Sequence, residues 1–347
     1  MTTTTIAATS IQAWAANAAK QPLEPFNYAP GPLGLEEVEI QVEHCGLCHS
    51  DLSLIDNEWG IAPYPMVGGH EVIGRVVALG SSAKGLKLGQ RVGLGWNASS
   101  CLHCNPCLSG LQQLCRQAQP TIIGHHGGFA ERVRAHWVWV APIPEGLDAS
   151  KAGPLLCGGV TVFSPFLTYD IKPTSRIGVV GIGGLGHLAL KFGRAWGCEV
   201  TAFTSSESKR EEALQLGAHR VVSSVDPTSM KQIAGQLDLV LVTVNVMLNW
   251  KAIMGTLAPN GRLHLVGVQT EAMPVETRSL MAAQRSVSAS PTGSRTDIDA
   301  MLAFAARHGI APQTEHFPMS RINEALDHLR AGKARYRVVL DADFAQA

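Results

Sequence analysis

Four cysteines lie within fifteen residues, Cys101, Cys104, Cys107 and Cys115, spaced C-x2-C-x2-C-x7-C. Tetrahedral zinc takes four soft ligands, and loops this short can wrap four thiolates around one ion. The same chain carries Gly69-His70-Glu71 and a glycine-rich turn, Gly181-Ile182-Gly183-Gly184-Leu185-Gly186. Together these point to a zinc enzyme that uses a dinucleotide rather than to a zinc finger.

A second set of soft ligands is dispersed: Cys48 in Cys48-His49-Ser50-Asp51, then His70, then Cys157. Two thiolates and one imidazole would hold zinc with a position open for a substrate oxygen, and such an ion polarises a carbonyl. Wide spacing in sequence does not prove a site. A lone cysteine is usually a small buried hydrophobe, and Cys45 and Cys198 are expected to be of that kind.

The turn at 181–186 matches G-x-G-x-x-G, a weak pattern by itself. Here it follows a predicted strand, Arg176 to Val180, and opens a predicted helix with apolar Leu185, Leu188, Ala189 and Phe192 on one face. The glycines would allow a tight turn, backbone approach to a pyrophosphate and close helix–strand packing. The helix N-terminus would attract the phosphate charge. An NAD site usually places Asp or Glu at the tip of the next strand. This chain reads Thr204-Ser205-Ser206, with Lys209 and Arg210 close behind. A missing carboxylate removes repulsion and two cations add attraction, so a 2′-phosphate and hence NADP(H) is expected.

These residues need a scaffold. The length, 347 residues, suits two domains, and 46% apolar with 16% charged residues supplies a sizeable core. Lys+Arg and Asp+Glu both number 28, which argues against nucleic acid or an anionic membrane as partner. No apolar run reaches membrane-spanning length, and residues 1–20 lack the pattern of a signal peptide. The thiols are expected to be reduced, in a cytoplasmic protein. The first 150 residues read as β-rich, with strands at Val38–Val42, Val72–Leu79 and Arg91–Leu94 suggesting a small barrel.

From about 155 strands and helices alternate, as in a doubly wound parallel sheet. Further strands are expected at Glu199–Phe203, Leu239–Val242 and Arg262–Val268, with a turn at Asn260-Gly261. Helices are expected at Ser208–Leu216 and Trp250–Leu257. Gly267 and Val268, at the end of the last of these strands, join the expected cofactor contacts. Two more helices, Asp297–Arg307 and Ile322–Leu329, and a strand, Arg337–Leu340, complete the chain; periodicity does not say where they pack.

The segments Cys45–Leu52, Gly69–Gly74, the four-cysteine knot and Pro154–Thr161 resemble the zinc-dependent medium-chain alcohol dehydrogenases. They are most similar to the cinnamyl-alcohol-dehydrogenase branch and, within it, to bacterial NADPH-dependent aldehyde reductases. Asp56–Gly60, Gly95-Trp96 and Lys333–Arg337 add to the match. The resemblance implies an α/β chain: a GroES-like β-barrel catalytic domain, 1–153 and 293–347, with its zinc lobe at 95–116, and an inserted Rossmann domain, 154–292. It implies that Cys48, His70 and Cys157 ligate a catalytic zinc, that Glu71 can approach it and that Asp51 orients a ligand. Cys101, Cys104, Cys107 and Cys115 would hold a structural zinc, making two ions per chain.

Ser50 would pass a proton at the substrate oxygen, His49 would lie near the pyrophosphate and Thr161 behind the nicotinamide. Trp59 and Trp96 would wall the substrate pocket. Many relatives have a histidine where this chain has Ser53, so the outer end of the proton relay has no named base.

The implied reaction is reversible reduction of aldehydes, aliphatic or aromatic, to primary alcohols by NADPH in a homodimer. An aromatic alcohol dehydrogenase working mainly in oxidation is the alternative. A zinc-binding interaction protein is a rival from another class, but Ser100–Arg116 holds one Arg and no Lys, a poor phosphate surface. A zinc-free relative of the same fold is the other rival, and it should lack the dispersed ligands that are present here.

Overall fold

Strand Glu37–Leu47 organises the first half of the chain in the computed structural model, which describes residues 10–268 and 271–344. Residues 1–9, part of the stretch read for a signal peptide, lie outside the described residues. Val38, Ile40 and Val42 are fully buried along this strand, the alternation expected of a half-buried one. It pairs antiparallel with Val72–Leu79, Arg132–His136 and Arg337–Asp341. Register shifts between Glu39 and Ile40 and between Val42 and His44 let one strand bend and change partners. Arg91–Leu94 and Ala141–Pro142 extend the sheet at one edge, and Thr314–Pro318 extends it at the other.

The second compact unit is Gly158–Gly293; the first comprises the chain up to Cys157 and from Ser294 onward. The last strand, Arg337–Asp341, thus returns to the N-terminal sheet. Within the second unit six parallel strands line up as Arg220–Ser223, Glu199–Thr204, Arg176–Val180, Leu237–Val242, Leu257–Leu265 and Ser286–Ala289. In chain order this is 3-2-1-4-5-6, so the topological switch point lies between Arg176–Val180 and Leu237–Val242. Leu239, Val240, Leu241 and Val242 are completely buried, which explains their unbroken apolar run. Helix Gly186–Trp196 ends at Gly197, whose φ of 104° is the left-handed stop that glycine supplies.

Several expected elements differ. The helix expected over Trp250–Leu257 ends at Gly255, and Leu257 already opens the next strand, which stops at Leu265 short of the expected Val268. Asn260-Gly261 does not precede a strand but lies inside one: Leu237 pairs with Leu257 and Leu239 with Arg262. The chain bulges between those pairs, with Asn260 at φ 63°, and then resumes its register. The expected helix Ser208–Leu216 begins as a short 3-10 turn, Glu207–Lys209, and is α-helical over Arg210–Gln215. Hydroxyls hold the chain before it, since Thr204 Oγ1 accepts from Ser206 N at 3.1 Å.

Candidate active site and metal centres

Cys48-His49-Ser50-Asp51 is a helix start. Cys48 occupies the N-cap of helix His49–Ile55, and Asp51, at its third residue, accepts from Cys48 N at 2.9 Å. The other Asp51 oxygen accepts from Gly69 N at 2.9 Å and faces His70 Nδ1 at 3.1 Å. One fully buried carboxylate therefore fixes the helix start, the Gly69 turn and the imidazole. Facing that carboxylate, Nδ1 is the nitrogen that would carry the proton, which would leave Nε2 to ligate a metal.

His70 Nε2 lies 3.2 Å from Cys157 Sγ, and Cys157 Sγ lies 3.9 Å from Cys48 Sγ. One donor atom each from Cys48, His70, Glu71 and Cys157 falls within 4.8 Å of the others. Glu71 is ion-paired through Oε1 to Arg337, whose Nη2 also donates to Leu47 O at 3.2 Å. Glu71 Oε2 is buried without a hydrogen-bond partner among the described residues. Burial pushes the Glu71 carboxyl up to about 6, against the pull of Arg337. Gly46 is required beside it, since a Cβ there would stand 2.0 Å from Glu71 Oε2.

The set fits a zinc ion: two thiols, an imidazole oriented by a carboxylate, and a carboxylate with one unsatisfied buried oxygen. Burial pulls the His70 pKa down, but the charge and hydrogen bond of Asp51 outweigh it and hold it above the ordinary range. The hydrogen bond from Cys157 holds Cys48 below the usual thiol range and raises Cys157, so the pair shares its proton unevenly.

The knot also converges, with Cys101, Cys104, Cys107 and Cys115 sulfurs within 4.8 Å of one another. Cys104 N donates to Cys101 Sγ and Gln117 N to Cys115 Sγ, both at 3.3 Å, as N–H···S bonds around a thiolate cluster do. Burial pushes Cys107 up to about 12, a cost that a cation in the cluster would remove. Four convergent thiols would complete the four-ligand shell that a structural zinc takes. Cys45 and Cys198 are buried and outside both clusters.

Around the first cluster, Ser50 Oγ lies 3.8 Å from Cys48 Sγ, while His49 is exposed on the same helix. Trp96 stands edge-to-face against the His70 ring at 5.0 Å, and Trp59 does the same against Trp96 at 6.4 Å. Ser53 Oγ donates to Glu58 Oε2 at 2.7 Å.

In the second unit the Gly181 turn sits at the switch point. A Cβ on Gly186 would meet Gly181 O at 1.9 Å, so helix and turn touch through their backbones. At Gly183 an added Cβ would meet nothing within 4 Å, which leaves the open approach a pyrophosphate needs. Thr243 donates to Val180 O at 2.9 Å and to Gly181 O at 3.1 Å, bracing the turn from the neighbouring strand. The reading from sequence missed Thr243, which has no motif around it.

Thr204 closes strand Glu199–Thr204, and Lys209 Nζ reaches Ile182 O at 3.1 Å. Ser205 is exposed, and Ser206 Oγ pairs with Ser208 Oγ at 2.7 Å. Arg210 instead turns to Glu207 and to Val221 O. Gly184 and Leu185 complete the turn before helix Gly186–Trp196, and Gly267 and Val268 follow strand Leu257–Leu265. Thr161 is buried in helix Gly158–Thr168.

Residues 34–145 match the family described as alcohol dehydrogenase GroES-like domain, and residues 184–307 match zinc-binding dehydrogenase. An aldehyde reductase, AdhA, from Synechocystis sp. is 53% identical, over 95% of this chain and 98% of its own. This chain belongs to the zinc-binding alcohol dehydrogenases. A probable cinnamyl alcohol dehydrogenase from Populus deltoides is 38% identical over 95% of each chain. A solved cinnamyl alcohol dehydrogenase from Sorghum bicolor superposes with a TM-score of 0.93 at 35% identity, covering 97% of this chain and all 100% of that one. The Helicobacter pylori enzyme described as CAD, solved with NADP(H), gives 0.87 at 29% identity over 96% and 98% of the two chains. The fold is accordingly that of this family, a GroES-like domain combined with a Rossmann-like domain.

Proposed function

We propose that the chain reduces aldehydes to primary alcohols, reversibly, as a zinc-dependent, NADPH-using oxidoreductase. The carrying observation is the convergence of Cys48, His70, Glu71 and Cys157 with Asp51 behind His70. Two zinc ions per chain are proposed, one held by Cys48, His70 and Cys157 and one by the four-cysteine knot. Zinc at the first cluster supplies Lewis acidity, polarising the aldehyde carbonyl. Reduced nicotinamide supplies the hydride.

The protein's own residues do the rest. Asp51 keeps His70 in the donor tautomer. Ser50, beside Cys48, holds the proton that the product oxygen takes up. Glu71, paired to Arg337, offers a carboxylate that can approach the cluster. Trp59 and Trp96 wall the substrate pocket, and two indoles favour apolar or aromatic substituents on the carbonyl. Gly181, Gly183, Gly184, Leu185 and Gly186 form the phosphate turn, with His49, Thr161, Gly267 and Val268 as further cofactor contacts.

NADPH over NADH is supported by the neutral tip at Thr204, Ser205 and Ser206 and by Lys209 reaching over the turn. Arg210, already paired with Glu207, is the weaker candidate for the 2′-phosphate. An NADP-dependent alcohol dehydrogenase and an NADP(H)-bound structure among the relatives support the same reading. In domain terms, residues 1–153 and 293–347 form the catalytic part and 154–292 the cofactor part, although the boundary between compact units falls just after Cys157, which leaves that ligand with the catalytic part. A homodimer in the cytoplasm completes the reading; among the described residues Ser286–Ala289 ends the six-stranded sheet, pairing on one side only.

The test is loss of reduced-nicotinamide absorbance with a medium-chain aldehyde. Turnover much faster with NADPH than with NADH is expected. Equal or better turnover with NADH would remove the phosphate-site argument, and none with either, on zinc-loaded protein, would remove the function.

A further inference from the structure

Trp59 lies in a stretch without regular structure between helix His49–Ile55 and Met66. An indole on such a stretch would ordinarily sample many positions. Here it is tied down on both sides. Glu58 N donates to Ser53 O at 2.8 Å, and Ser53 Oγ returns a bond to Glu58 Oε2 at 2.7 Å. Ala62 N donates to Asn57 Oδ1 at 3.1 Å. The Tyr64 hydroxyl spans Leu54 O at 3.2 Å and Ile55 O at 2.8 Å, capping the helix that begins at Cys48. Arg330, from helix Ile322–Arg330, holds Asp56 at 3.1 Å.

We infer that Ser53 and Glu58 are positioning residues: their reciprocal clasp sets Trp59 against Trp96 and thereby sets which carbonyl substituents the pocket accepts. Glu58 is the immediate neighbour of Trp59, so its bond to the helix fixes the backbone from which the indole projects. Trp96 rests on His70, so the span from clasp to metal ligand is a continuous run of contacts. Ser53 is half-buried and Glu58 exposed, which makes the clasp a light device: its loss should shift one side chain without unfolding the helix. This assigns a role to Ser53, the position where a proton-relay histidine was missing. The serine shapes the pocket instead of buffering a proton. The inference rests on Trp59 and Trp96 being pocket walls, as proposed above.

The experiment compares kcat and KM for butanal and cinnamaldehyde, with NADPH, in the zinc-loaded enzyme and in Ser53→Ala, Ser53→Thr and Glu58→Gln. Ser53→Ala should shift KM for cinnamaldehyde about three- to tenfold, while KM for butanal and both kcat values stay within about twofold. Ser53→Thr, which keeps the hydroxyl, should restore the parent ratio, and Glu58→Gln, which keeps an acceptor, should fall between. In parallel, the fluorine resonance of Trp59 in 5-fluorotryptophan-labelled protein, identified by its loss in Trp59→Phe, should move in Ser53→Ala. A kcat loss equal for both aldehydes would overturn the inference and make Ser53 a participant in proton transfer. An unchanged Trp59 resonance would overturn it as well. Absence of turnover in the parent enzyme would overturn the proposed function, and the Trp59 resonance would still decide the clasp.

Discussion

At the residue scale the site depends on a single carboxylate. Asp51 accepts from two backbone N–H groups and faces His70, so no other residue of the cluster has as many tasks. An outer partner of a ligating histidine is typically worth about ten- to hundredfold in metal affinity. Asp51→Asn is therefore expected to lose zinc from the first cluster about ten- to hundredfold more readily in a chelator titration, with the four-cysteine knot unaffected. Equal loss from both clusters would mean that the substitution acts on the whole fold.

Arg337 raises a related issue. A buried carboxylate deprived of its cation typically costs about 3–5 kcal/mol. Arg337→Met should accordingly lower the denaturant midpoint more than Asp51→Asn does, because both Glu71 oxygens would then lack a partner.

At the element scale, local pattern and long-range pairing separate what could be read in advance. Val72–Leu79, Arg91–Leu94 and Arg176–Val180 stand where alternation, glycines and apolar runs put them. The metal clusters were legible because thiols and imidazoles in these settings have few other uses. The bulge at Asn260 was not, because Asn-Gly signals a turn without saying whether the strand resumes its partner beyond it. Nor were the Ser53–Glu58 clasp, the Thr243 brace and the Arg210–Glu207 pair, which are matters of side-chain direction.

The glycine turn allows a test at this scale. Gly186→Ala would force a Cβ to within 1.9 Å of Gly181 O, and the backbone must shift to admit it. Such overpacking typically costs about 1–3 kcal/mol. The variant should melt lower and bind NADPH more weakly by fluorescence titration, with its zinc content unchanged.

At the scale of the whole molecule, two metal clusters of different character share one unit, and the phosphate turn belongs to the other. The knot is made from one continuous segment, Cys101 to Cys115. The first cluster is gathered from three places, Cys48, His70-Glu71 and Cys157, and is buttressed by Arg337 near the far end of the chain. Its geometry is therefore a product of the folded unit, including the return of strand Arg337–Asp341 to strand Glu37–Leu47.

In the proposed function the dispersed cluster holds the zinc that does the chemistry, while the knot holds one that does not. The most direct measurement is zinc per chain by elemental analysis, paired with aldehyde reduction, in the parent protein and in His70→Ala. Two zinc ions per chain are expected in the parent. A folded His70→Ala should keep the knot's zinc and lose reduction. A parent with zinc in the knot alone, or a His70→Ala enzyme that reduces aldehyde at the parent rate, would contradict the proposed function.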